Sequence, residues 1–183
     1  MNGHRIVAKR IAAMSALALT CLTGATASAQ QGPPSKGEVD RALAKGSANA
    51  GGPFTIIVTG DKTASVSGRD ASFCVSSGST KVFALSLVES TWAVSISAMG
   101  DRPGVGAHVL ATSITKGISA RLTDKTTGSA PTDWVRSSLK SGTLTITRAD
   151  DTKLSGTYEF IATPTTGGEW RAKGAFEANP TKC

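Results

Sequence analysis

The residues that carry most enzyme chemistry are scarce in this chain of 183 residues. It contains two histidines, three cysteines and one tyrosine, and aromatic residues make up only 5%. His4 belongs to the basic start of an N-terminal signal sequence described below. His108 is therefore the one histidine that a catalytic site in the rest of the chain could use. A zinc site usually draws on several His or Cys ligands, and no G-x-S-x-G motif marks a nucleophilic serine. The sequence therefore indicates no catalytic residue, no metal ligand and no cofactor site.

Other catalytic patterns are equally weak. Asp150 and Asp151 are adjacent in a predicted hairpin turn, without the spaced Asp, Asn and Gly residues of a calcium loop. Most remaining acidic residues fall in or beside predicted turns, where carboxylates are solvated and cap the backbone. His108 follows a glycine-rich turn and is typical of a hydrogen-bonded strand histidine. A hydrolase that uses two carboxylates, or a serine with His108, is the weakest alternative that the sequence leaves open.

Long apolar runs and blocks of like charge are also missing. The apolar segment at residues 11–22 is well below the ~20 residues needed to span a bilayer. Beyond it, no block of five or more like charges occurs, and Lys and Arg are scattered. A nucleic-acid footprint needs basic residues clustered on one face or helix. We therefore expect no transmembrane segment in the mature chain and no nucleic-acid partner.

The first 29 residues have the order of a secretory signal peptide. Four basic residues within positions 4–10 precede the apolar run, and Ala27-Ser28-Ala29 supplies small residues for cleavage after Ala29. Cleavage lowers the formal net charge from +7 to +4, because three of the 20 Lys and Arg residues and none of the 13 acidic ones are removed. We expect a periplasmic or secreted protein. Acylation of Cys21 in a lipoprotein signal is the alternative, although Thr20 stands where Gly, Ala or Ser is usual.

The rest of the chain divides into a linker and one β-rich domain. Residues 30–50 are rich in Gly, Pro, Ser and charge, and are typical of a flexible linker. From residue 51, short β-branched runs alternate with turn residues at intervals of roughly 8–12 residues, which predicts an all-β antiparallel sandwich or barrel of about 8–10 short strands with little helix. The predicted strands are 54–59, 71–76, 82–89, 92–98, 108–112, 118–123, 134–138, 143–148, 154–162 and 169–177.

Two cysteines remain after signal removal, Cys74 and Cys183. They allow a single intramolecular pairing, and in an oxidising compartment such a pair is expected to form a disulfide. A redox function would favour a C-x-x-C spacing, which the chain lacks. We therefore predict a structural bridge between an early strand and the last residue.

One aromatic residue, Trp134, lies outside the alternating strand patterns that give the other large aromatics a place in the core. It stands beside Asp133 and Arg136 and could form a stacking platform for a sugar ring or another partner. Packing at the core or at a sheet edge is the alternative. Asp133, Trp134 and Arg136 are the candidate binding residues of the sequence.

The final third of the chain resembles a group of bacterial exported proteins and lipoproteins with no established activity. The resemblance rests on Gly142-Thr-Leu-Thr-Ile-Thr147, on Leu154-Ser-Gly-Thr-Tyr-Glu-Phe160, on Lys173-Gly-Ala-Phe-Glu-Ala178 and on the terminal Cys183. A similar turn occurs at residues 102–106, although Ala107-His108 stands where that group usually has Thr-Tyr. The resemblance implies a β-sandwich or barrel of the envelope and no catalytic residues.

These observations favour an exported, non-catalytic binding protein whose partner is an envelope or extracellular protein, polysaccharide or lipid. The alternative is a lipocalin-like carrier with a small apolar ligand inside a closed barrel. Strand alternation does not separate the two, because a filled sandwich and a hollow barrel both bury one face of each strand.

Overall fold

The computed structural model of the protein describes residues 51–183. The predicted signal peptide at 1–29, the linker at 30–50 and Cys21 lie outside the described residues. Within 51–183 the chain forms strands and no helix, so the expected all-β class is confirmed. The strands are β1 Gly52–Gly60, β2 Ala64–Val75, β3 Val82–Val88, β4 Trp92–Met99, β5 Gly106–Val109, β6 Ser119–Asp124, β7 Val135–Ala149, β8 Leu154–Pro164 and β9 Trp170–Pro180.

Eight of the strands close a barrel. Their order is β7-β6-β4-β3-β2-β1-β9-β8, and β8 pairs again with β7. Strand β5 is the additional strand and pairs with the second half of β7. Neighbouring strands are antiparallel, apart from a short parallel contact in which Ser72 and Phe73 of β2 pair with Asn179 and Pro180 of β9. Of the two predicted architectures, the structure is the barrel.

The barrel interior follows the alternation that the sequence predicts. In β8, Leu154, Gly156, Tyr158, Phe160 and Ala162 are buried, and the residues that alternate with them are partly or fully exposed. Such a period of two places every second side chain inside. Side chains of all eight barrel strands meet there, including those of Trp92 and Trp170, whose rings pack edge to face with centroids 5.4 Å apart.

One predicted gap between two strands is in fact a bend within a single strand. Residues 134–138 and 143–148 were expected to form separate strands, but both belong to β7, which spans 15 residues. The pairing of β7 with β8 shifts register between Leu139 and Ser141 and again between Ile146 and Arg148. Such bulges bend a strand without ending it, so the polar segment between the two apolar runs continues the ladder.

Two other strand predictions need correction. Strand β2 begins at Ala64, seven residues before the predicted start, because its polar first half pairs with β1 through Ala64, Ser65 and Val66. Strand β5 spans Gly106–Val109 and not 108–112. Beyond Val109 the backbone N–H of Ala111 donates to the carbonyl of Ile118, which directs the chain into the turn before β6.

The C-terminus is joined to β2 by the disulfide between Cys74 and Cys183, whose Cα atoms are 5.5 Å apart. The N–H of Thr181 also donates to the carbonyl of Phe73. Disulfides form and persist in oxidising compartments, so the bridge indicates a non-cytoplasmic location. No helix long and apolar enough to cross a membrane occurs within residues 51–183.

Candidate binding groove

An open groove of about 740 Å³ lies along one side of the barrel, on the outer face of β3, β4, β6 and the start of β7. Val82 and Val88, the first and last residues of β3, both line it. They are six positions apart in an extended strand, which corresponds to roughly 20 Å at ~3.4 Å per residue. The groove is therefore long enough for an extended ligand.

The floor of the groove is recessed because its side chains are small. Ala93, Ser95 and Ser97 face outward from β4, and Ser97 pairs across the ladder with Ser119 of β6. At one end the floor is bordered by Thr112 and Ile114, in the loop between β5 and β6. That loop is held to the barrel by the N–H of Met99, which donates to the carbonyl of Ile114.

Hydroxyl groups are the most frequent polar groups along the groove. Six serine and threonine residues lining it form no side-chain hydrogen bond with another group in residues 51–183. They are Ser95, Ser97, Thr112, Ser119, Thr123 and Ser138. A hydroxyl donates and accepts, so this surface offers a row of hydrogen-bonding groups to a ligand.

The charged residues lining the groove are all basic: Arg121, Lys125 and Arg136. Elsewhere in the described residues, seven cations form salt bridges with carboxylates. None of the three groove cations is among them. Residues 51–183 contain 14 Lys and Arg residues and 11 Asp and Glu residues, so the groove holds a formal charge equal to the net charge of the described chain.

Trp134 and Lys125 stand together at the end of the groove where β6 leads towards β7. The Lys125 ammonium lies 5.3 Å from the centroid of the Trp134 ring and donates a hydrogen bond to the carbonyl of Glu89. The indole Nε1–H donates to the carbonyl of Gly128 at 3.2 Å. These contacts fix the half-buried indole beside the groove, in an orientation set by the loop between β6 and β7.

The start of that loop is anchored by Asp124, whose side chain is fully buried. Its carboxylate accepts hydrogen bonds from the N–H and hydroxyl of Thr126, at 2.8 and 2.6 Å, and forms a salt bridge with Lys62. Burial by itself would raise the pKa of Asp124, but the hydrogen bonds from Lys62 and Thr126 outweigh burial and lower it. Asp124 therefore remains ionised and holds the backbone next to Lys125 in place.

The structure brings together two of the three residues that the sequence singled out. Trp134 and Arg136 line the groove, on the same side of the chain. Asp133 does not line it. Its carboxylate accepts from the N–H of Ala130 at 3.4 Å and from the hydroxyl of Thr132 at 3.3 Å, which are contacts within its own turn.

Comparisons with protein-family models, with curated proteins and with solved structures find no match for this chain. The functional argument therefore rests on the groove itself.

Arg121, Lys125 and the hydroxyl residues were not identified from the sequence. The signal was present in β6, where Ser119, Arg121 and Thr123 alternate with the buried Ala120 and Leu122. Alternation of this kind gives the outward face of each strand. It does not give the strand order, and the groove forms only because β6 lies between β4 and β7.

The other candidate groups lie away from the groove lining. His108 is in β5, and its Nε2–H donates to the carbonyl of Gly104 at 2.8 Å. Asp150, in the β7–β8 turn, accepts from the N–H groups of Thr152 and Lys153, both at 2.9 Å. Within residues 51–183, no three His, Cys, Asp or Glu side chains cluster in a way that could hold a metal ion.

Proposed function

We propose that this protein is an exported, non-catalytic binding protein of the cell envelope that holds a polysaccharide chain in the outer groove. The observation that carries the proposal is the combination of six hydroxyls that have no hydrogen-bond partner within residues 51–183 and a fixed indole along one extended recess. Sugar rings present many hydroxyls and an apolar face, and such hydroxyls pair with serine and threonine side chains.

The position of Trp134 supports the same class of ligand. Aromatic side chains provide a large contact area at low entropic cost, with one polar group for a hydrogen bond. In this protein that polar group, Nε1–H, already donates to Gly128. The ring is thus oriented before a ligand arrives, which reduces the entropic cost of binding.

The packed barrel interior favours the outer groove over the carrier alternative. Residues that would line an internal cavity, such as Phe83, Leu85 and Ile96, have no exposed surface and belong to one core cluster. A ligand in the interior would have to displace these side chains. Extraction of the folded protein followed by lipid analysis tests this point, since the proposal predicts that no apolar ligand is released.

Export forms part of the proposal and has its own test. The sequence of the first 29 residues and the oxidised cysteine pair together support a chain that is cleaved after Ala29 and acts in the periplasm or outside the cell. The mass of the protein purified from its own envelope should correspond to a chain that begins at Gln30 and contains one disulfide. A mass that corresponds to a lipid-modified chain beginning at Cys21 would show instead that the protein is tethered to a membrane.

The binding claim is tested by titrating the purified protein with cello-, chito- and galacturonate oligosaccharides while tryptophan fluorescence and heat of binding are recorded. Trp92 and Trp170 are 4% and 2% exposed, so a ligand in the groove should change the fluorescence of Trp134. Trp134→Ala should weaken binding by about tenfold, which corresponds to the loss of about 1.4 kcal/mol of aromatic contact.

Trp134→Phe is the matched variant, because it keeps an aromatic ring at the same position. It should retain most of the heat of binding while the fluorescence change disappears. The proposal is wrong if no oligosaccharide binds, or if one binds with the same affinity to the wild type and to a folded Trp134→Ala variant.

A further inference from the structure

We infer that the polysaccharide is anionic, and that Arg121 and Arg136 bind its charged groups. This inference rests on the proposed function and specifies its ligand. Neither guanidinium group forms a salt bridge or hydrogen bond with a protein group in the described part of the chain. Among residues 51–183 no Asp or Glu lines the groove, so this part of the chain gives the groove two unpaired guanidinium groups and no carboxylate.

The strand register brings the two arginines close together. Arg136 of β7 pairs directly with Thr123 of β6, and Arg121 lies two residues before Thr123 on the same outward face. Diagonal neighbours of this kind are roughly 7–8 Å apart. Two extended, flexible side chains at that separation can reach the same or adjacent units of one ligand chain.

Lys125 has a different role from the two arginines. Its ammonium donates to the Glu89 carbonyl and lies over the Trp134 ring, so it positions the indole. Arginine is also better suited to binding an anion, because its planar group can donate two parallel hydrogen bonds to a carboxylate. Trp134 and Arg136 are two residues apart on one side of the chain, which predicts a sugar ring at the indole and a charged group beside it.

The two guanidinium groups repel each other in the absence of a ligand. Like charges directly opposite on neighbouring strands destabilise a sheet; Arg121 and Arg136 are diagonal neighbours, so their repulsion is weaker, and no carboxylate among the described groove residues offsets it. An anionic ligand removes it. Two consequences follow: the ligand should raise the unfolding temperature of the wild type, and Arg121→Gln should not lower the unfolding temperature of the unliganded protein.

The test compares oligogalacturonate with its methyl ester, which keeps the ring but removes the charge. The affinity of the wild type for the acid should be at least about ten times its affinity for the ester, as expected for charge-assisted hydrogen bonds. The double variant Arg121→Gln, Arg136→Gln should bind both alike. The control Lys173→Gln, Lys182→Gln removes two exposed cations that do not line the groove, and it should keep the wild-type preference.

Titration with a sulfated oligosaccharide shows whether the groove binds sulfate or carboxylate groups. Binding of either oligosaccharide that depends on the two arginines supports the inference. Equal affinity of the wild type for acid and ester overturns it, as does a preference for the acid that survives in the arginine variant. Tighter, arginine-dependent binding of a single-stranded oligonucleotide would identify a nucleic-acid ligand and overturn it too. Trp134→Ala separates the two claims: if both oligosaccharides bind that variant with wild-type affinity, the proposed function fails as well.

Discussion

The ammonium group of Lys125 lies 5.3 Å from the centre of the Trp134 ring and also donates a hydrogen bond to the carbonyl of Glu89. Glu89 follows β3, Lys125 follows β6 and Trp134 precedes β7, so one side chain connects three strand ends. Through Lys125, Trp134 at the end of the groove is thus connected to Glu89, which is distant in the sequence.

Lys125→Met tests this connection. The substitution keeps an unbranched apolar side chain beside the indole and removes the charge. It should lower the free energy of unfolding by about 0.5–1 kcal/mol, the usual size of a cation–π contact at a partly exposed site, and weaken ligand binding because the indole is less fixed. Urea denaturation and ligand titration measure the two effects. Lys116→Met, in the loop before β6, is the control and should change neither; an equal effect of both substitutions would contradict the positioning role.

The salt bridge between Lys62 and Asp124 predicts an unequal response to removing either partner. The Asp124 side chain is fully buried, whereas that of Lys62 is 43% exposed. Lys62→Met leaves a buried carboxylate with only the Thr126 donors, while Asp124→Asn leaves an ammonium group that water can reach. Breaking a fully buried pair costs about 3–5 kcal/mol; we expect less here, with the larger loss for Lys62→Met at pH 7.

Denaturation of both variants at pH 7 and pH 4 checks this order. The difference between them should shrink at pH 4, because Asp124 in Lys62→Met can then be protonated. A larger loss for Asp124→Asn at pH 7 would show that the assigned burial of the two groups is wrong.

Acid should destabilise the protein through carboxylates whose pKa is lowered by folding. Hydrogen bonds from Ser90 and Thr91 lower the pKa of Glu89 from 4.5 to about 2. A group with a depressed pKa in the folded state stabilises it above the unfolded pKa, and that contribution is lost as the pH falls through the folded pKa. Stability should therefore fall between about pH 4.5 and pH 2. Glu89→Gln should make this fall shallower, and an unchanged pH profile would contradict the assigned hydrogen bonds.

The disulfide predicts a large stability effect without a direct effect on the groove. Cys74 and Cys183 are separated by 109 residues, and in the chain-entropy model a bridge over about 100 residues contributes up to ~4.7 kcal/mol. Reduction, or Cys74→Ser with Cys183→Ser, should lower the free energy of unfolding by about 2–5 kcal/mol. Neither cysteine lines the groove, so the folded variant should bind ligand as the wild type does. A loss of binding in folded, reduced protein would contradict this separation.

Much of the barrel could be predicted because alternation is a local property. Alternation within the predicted strand 143–148 places Leu144 and Ile146 on the same face, and both are buried. The continuity of β7 could not be predicted, because the bulges near Ser141 and Arg148 depend on the partner strand β8. The first half of β2 was missed for a similar reason, since its polar residues are strand-forming only beside β1.

The groove was only partly predictable for the same physical reason. Trp134 and Arg136 are only two residues apart in the sequence and could be recognised as a pair. Arg121 and Lys125 join them through pairing of β6 with β7 over two residue pairs, Thr123 with Arg136 and Asp124 with Val135. Past these pairs the hydroxyl of Ser137 bonds to both the N–H and the carbonyl of Leu122, at 3.0 Å each. No residue spacing in the sequence indicates such a contact.

The most direct test of the central claim is a map of ligand contacts that needs no substitution. Backbone amide shifts of the isotope-labelled protein would be recorded by NMR during titration with oligogalacturonate. Binding in the groove predicts changes confined to the segments that line it, residues 82–88, 93–97, 112–114, 119–125 and 134–139, with the Trp134 indole N–H among them. Changes centred on the buried residues of β1, β8 and β9, or on the disulfide region, would contradict the assignment of the outer groove as the binding site.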